Sequence, residues 1–249
     1  DVRGYEMAIL NTMFSSQGIA TSSAGSTTTL YIDKNDDNYG IGESLTFHAD
    51  AEDNIALGEN ALNSTNGAAL RNVAIGTSAL TTMLAGDDNI AIGNQAMLVA
   101  SRGGNNIAIG SRALDAAALG ISTPANSNIA IGVDAMGAVH EEDNDQYADS
   151  NIAIGKGALN GGILANGEDL RQNIAIGQNA LNGTGTNASL GQVAIGHDAL
   201  STCSSGAGNL AIGYQALDNI TTGDHNIAIG YNALDLHTTG SRNIAIGFK

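Results

Sequence analysis

The chain has 249 residues, a formal charge of −16, 4% aromatics, no Trp, one Pro and one Cys. That charge excludes phosphate-backbone binding, which needs clustered Lys and Arg, and only 9 are spread along this chain. The 43% hydrophobic content excludes a disordered chain, a single Pro beside 33 Gly excludes collagen, and a lone Cys203 excludes an internal disulfide framework.

Residues 1–53 differ from the rest and read as a cap or connector. Tyr5 to Phe14 places apolar residues at helical spacing and predicts a short helix. Ser15 to Thr29 is a polar Ser/Thr/Gly stretch that reads as a linker. Thr29-Leu30-Tyr31-Ile32-Asp33 alternates like a strand, Asp36-Asp37-Asn38 like a turn, and Tyr39-Gly40-Ile41-Gly42 like an imperfect first coil. Ser44 to Phe47 predicts another strand.

From residue 54 to 249 one unit recurs. It reads Asn-Ile-Ala-Ile-Gly, followed three residues after the Gly by Ala-Leu or Ala-Met. The leading Asn stands at Asn54, Asn72, Asn89, Asn106, Asn128, Asn151, Asn173, Asn209, Asn226 and Asn243, with Gln192 as the one exception. The closing glycines are spaced 18, 17, 17, 22, 23, 22, 19, 17, 17 and 17 residues apart. Helical-hairpin repeats need roughly 33 to 47 residues, so these units are too short. Large-small-large alternation is a strand pattern, Gly allows a sharp corner, and Ala-Leu supplies a second short strand. The prediction is an all-β parallel β-solenoid of about eleven short coils.

In that reading the two aliphatics point into the coil. The middle residue is always Ala: Ala56, Ala74, Ala91, Ala108, Ala130, Ala153, Ala175, Ala194, Ala211, Ala228 and Ala245. A solvent-facing position would vary, so the alanines read as a flat column packed against another copy of the chain. The alternative is that Ala lies inside a thin coil. The stacked Asn side chains read as a structural amide ladder rather than a catalytic set.

Three adjacent long coils carry extra residues at roughly 115–127, 137–150 and 160–172. They read either as a binding face or as neutral drift in loop length. The middle one offers Glu141, Glu142, Asp143, Asp145 and Tyr147 as receptor-facing residues. Its carboxylates read as a solvated acidic loop, with Ca²⁺ binding the minor alternative, since no EF-hand or GGxGxD spacing is present. No other cofactor is expected. The five histidines lack zinc-site spacing, and no GxSxG elbow occurs, so no enzyme is expected. No apolar run approaches the roughly 18 residues that span a membrane.

Asn226 to Leu234, reading NIAIGYNAL, resembles the head repeats of trimeric autotransporter adhesins, whose usual unit is shorter and more uniform. The variable-loop form, from Tyr214-Gln215-Ala216-Leu217 through Thr221-Thr222-Gly223 to Asn226, is similar to repeats of tailed-phage tail fibres and related bacterial surface fibres. The resemblance implies a left-handed β-roll and a homotrimer. It implies an extracellular place on a virion tail fibre or bacterial surface. Many such fibres end in a self-cleaving trimerisation chaperone, whose absence here fits either removal after assembly or truncation. Both chain ends read as those of a fragment or a processed product of a longer protein, with further fibre segments beyond them. The function expected is that of a structural and adhesive fibre segment that presents a face to a cell-surface glycan or protein receptor. An ice- or crystal-binding solenoid and a polysaccharide-degrading tailspike are the alternatives.

Overall fold

The computed structural model describes residues 19–23, 26–33, 38–42, 51–63, 69–82, 85–99, 103–115, 125–137, 140–141, 148–161, 163–164, 169–183 and 189–249. The expected helix over 5–14 and the strand at 44–47 lie outside them. Among the described residues the chain is all-β, with no helix.

Strand β1 (Ile19–Ser23) and β2 (Ser26–Asp33) form an antiparallel pair, so the stretch expected as a linker is partly strand. Strand β3 (Asn38–Gly42) runs antiparallel to β2 and then parallel to Ile55–Leu57. Its register is that of the repeat: Tyr39 opposite Ile55, Gly40 opposite Ala56, Ile41 opposite Leu57. From β3 onward the main sheet is parallel through twelve strands, ending at Ile244–Ile246. Successive Ile-Ala-Ile segments pair residue for residue, as in Ile129, Ala130 and Ile131 beside Ile152, Ala153 and Ile154. A second parallel sheet stacks Ala148–Asp149, Leu170–Arg171, Ser189–Leu190 and Gly206–Ala207. This is the stacking of a parallel β-solenoid.

From Ile55–Leu57 onward each strand of the main sheet stops after three residues because the next Gly leaves the strand region. Gly132 has φ 137°, and a Cβ on it would lie 2.5 Å from the Gly155 carbonyl oxygen one coil on. Only Gly combines that torsion with that approach.

The expected second strand at Ala-Leu is not one. Those residues form a turn in which the Leu or Met is left-handed, as at Leu114 (φ 53°) and Met136 (φ 50°). Coil-to-coil hydrogen bonds persist there, with Met136 N–H donating to Ala158 O at 3.0 Å. A left-handed non-Gly residue costs roughly 1–2 kcal/mol. Full burial of a Leu or Met side chain contributes roughly 1.5–3 kcal/mol and offsets it. Leu80, Met97, Met136, Leu159 and Leu181 are all fully buried.

The direction of the motif is the main correction. The middle alanines from Ala56 to Ala228 are 0% exposed within a single chain, and they share one core cluster with the Ala-Leu pairs. Ala245, in the final strand, is half-buried. The flanking aliphatics instead face outward, with Ile55 41%, Leu57 37% and Ile154 36% exposed. The alanine column therefore lines the interior and does not meet another chain. The reason is volume. The wall opposite already contributes a Leu or Met per coil, and that leaves room only for a methyl.

Ala153→Leu should therefore lower stability by about 1–3 kcal/mol through overpacking. The check is the urea midpoint, and an unchanged midpoint would place Ala153 outside the core.

Candidate interaction surfaces

The asparagines form a continuous buried column. Wherever Asn follows Asn, the Oδ1 accepts two hydrogens from the Asn one coil further on. Asn106 donates its backbone N–H and its Nδ2 to Asn89 Oδ1, both at 3.0 Å. Asn151 does the same to Asn128, at 3.0 and 3.1 Å. The second Nδ2 hydrogen goes to a backbone carbonyl, Ala125 O for Asn106 and Leu170 O for Asn151. The amide is thus fully used at 0% exposure, which is the condition for burying it without penalty. The column begins one step earlier than the clean repeats, at Asn38, whose Oδ1 accepts from Asn54 N–H and Nδ2. Gln192 keeps the column intact. Its N–H donates to Asn173 Oδ1 at 2.9 Å, and its Oε1 accepts from Asn209 Nδ2 at 3.2 Å. Its extra methylene brings Nε2 to 3.5 Å from Cys203 Sγ.

On the outer side the main sheet presents two apolar columns. One runs from Tyr39 through Ile55 to Ile244, the other from Ile41 through Leu57 to Ile246. Apart from Tyr39, every position in them is Ile, Leu or Val. Twelve strands at about 4.8 Å, two columns wide, give a flat face roughly 50 Å long and on the order of 500 Å². A continuous apolar patch of that size lies toward the upper end of those on single soluble chains, and such patches are often functional.

Charges sit at the corners. Arg71 grips Asp88 one coil on with two bonds, Nε to Oδ1 at 2.6 Å and a terminal nitrogen to Oδ2 at 2.8 Å. Arg112 grips Asp134 in the same way. The Arg71 hydrogen bond holds the Asp88 carboxyl below its ordinary value. Both pairs are solvent-exposed and contribute little to stability. Side chains also cap the coil edge, where Asp149 Oδ1 accepts Asn126 N–H at 2.7 Å and Asp87 Oδ1 accepts Leu70 N–H at 3.0 Å.

Of the receptor-facing set, Glu141 has its backbone in the short strand His140–Glu141, paired with Ile163–Leu164. Glu142, Asp143, Asp145 and Tyr147 lie outside the described residues. Among the described residues no cluster of three His, Cys, Asp or Glu is arranged to hold a metal ion. No described helix is long and apolar enough to cross a membrane.

One surface feature escaped the sequence reading. The residue after the corner Gly is His197, Tyr214, Tyr231 and Phe248 in successive coils, and the rings stack. Centroid distances are 5.3, 5.0 and 5.4 Å, with interplanar angles of 14, 9 and 12°. The signal was present as the constant 17-residue spacing of Gly196, Gly213, Gly230 and Gly247.

Against known proteins, no family model, no curated protein and no solved structure matches this chain.

Two outcomes follow from this geometry. Asn151→Ala strips partners from Asn173, Asn128 and Leu170, and each buried group left unpaired costs about 1–3 kcal/mol. The loss of stability should exceed that of Asn243→Ala at the half-buried end of the column, and equal losses would contradict the ladder. Burial raises the Cys203 thiol above its ordinary 9.0, against a smaller lowering by the Gln192 hydrogen bond. The unfolded chain releases that proton first, so this contribution to stability falls as pH rises above the unfolded thiol value. Cys203 should resist iodoacetamide at pH 8 until the protein is unfolded; ready alkylation of the native protein would contradict its burial.

Proposed function

We propose that this chain is a structural segment of an extracellular homotrimeric fibre that stiffens the fibre and presents surfaces to a cell-surface receptor. The observation that carries the proposal is the continuous outward face of Ile, Leu and Val running the length of the main sheet. The interchain role expected of the alanines passes to this face.

Covering that face buries about 500 Å² per chain whether two or three copies share it, so the choice of three copies rests on the likeness of the repeat to those of trimeric fibres. A three-fold axis along the stack lets every chain use the same face, and the identical repeat keeps that face straight. The charge of −16 per chain lies off the apolar columns and keeps assembled fibres apart laterally. The NIAIG unit and its likeness to adhesin-head and tail-fibre repeats support the same reading. An ice-binding role would need this face bare in a monomer.

Light scattering coupled to size exclusion should give about three times 25.1 kDa. The double variant Ile131→Asp/Ile154→Asp should give a smaller species that keeps its β-type circular dichroism. A monomeric parent chain would overturn the proposal, and thermal hysteresis would then be the next assay.

A further inference from the structure

We propose that the stacked column of His197, Tyr214, Tyr231 and Phe248 is a binding platform for a neutral, extended polysaccharide chain lying along the stack. This rests on the fibre reading in one respect: it supplies the receptor-contacting surface that reading requires.

Four observations carry it. The column is open, with Tyr214 40% and Tyr231 48% exposed. It is also unobstructed. It occupies coils of constant 17-residue spacing, whereas the long coils, spaced 22 and 23, lie between Gly110 and Gly177. It is rigid, since each ring is fixed to a corner Gly that cannot accept a side chain, as at Gly213 with φ 136°. Finally, it is chemically amphipathic. The rings face one another along the stack, so they present their edges rather than their faces, and two of them carry a hydroxyl.

The ligand class follows from that chemistry. Ring edges carry the positive side of the aromatic quadrupole and attract oxygen atoms, and tyrosine hydroxyls both donate and accept. An oxygen-rich polymer with little charge satisfies both. Anionic polymers are disfavoured by the net charge of −16. A β-1,4-linked pyranose chain is straight, and its sugars advance by nearly one strand spacing each, so one sugar meets one coil.

With 6 Tyr and no Trp, the intact protein reports such binding through tyrosine emission. Titration with cellohexaose and with chitohexaose should change that emission saturably for at least one of them. Isothermal calorimetry should give the same affinity. Tyr214→Ala/Tyr231→Ala should weaken calorimetric binding tenfold or more, while scattering mass and melting temperature stay close to the parent. Tyr214→Phe/Tyr231→Phe should retain part of the affinity, which separates ring from hydroxyl. No saturable response to either sugar, or unchanged affinity in the alanine variant, would overturn the platform. If the mass remains trimeric in those cases, the fibre reading stands and only the platform fails.

Discussion

Everything else in this fold depends on one hydrogen-bonding constraint, the column of buried amides that links each coil to the next. A parallel stack places identical residues one strand spacing apart. A buried polar side chain survives there only if its donors and acceptors are satisfied at that spacing. Asn meets the condition with a single carbonyl oxygen that takes both the backbone and the side-chain hydrogens of the next Asn, as between Asn72 and Asn89. The remaining amide hydrogen reaches across to the neighbouring turn, Gly103 O for Asn89. The column therefore ties the main strand to the far edge of the coil and fixes the register of both.

A narrow interior follows. With the amide column on one side and a buried Leu or Met on the other, only a methyl fits between them at Ala130 or Ala153. The larger aliphatics have no room inside and must face out. The same narrowness that keeps each coil thin thus places a long apolar face on the outside of the sheet. Left-handed corners at Leu114 and Met136 are strained singly, yet each is held by the burial of its own side chain.

Much of this was legible in the sequence. The Ile-Ala-Ile strand, the corner Gly and the Asn column are written as recurrences at a spacing of 17 to 23 residues, and a recurrence has few physical meanings. The facing of the strand was not. Alternation says that Ala and Ile point oppositely, but only the width of the coil says which is inside. The Ala-Leu pair reads as a second short strand from its place in the repeat, whereas the left-handed turn at Leu62 or Leu80 is dictated by its neighbours. Asn38 reads as the last residue of the Asp36-Asp37-Asn38 turn, although the imperfect coil that follows it places it at the position of the repeating Asn. The aromatic stack was hidden because four different coils contribute one ring each, and no local window contains it.

The amide column is tested most directly by hydrogen exchange of asparagine side chains. NMR of protein labelled with ¹⁵N at Asn resolves each Nδ2 hydrogen pair. The account predicts a group of Asn side-chain amides, those of the column, exchanging orders of magnitude more slowly than exposed amides and close to the rate of global unfolding. Should all Asn side-chain amides exchange as fast as free amides, the column would not exist in solution. The thin coil, the inward alanines and the outward apolar face would then lose their common cause.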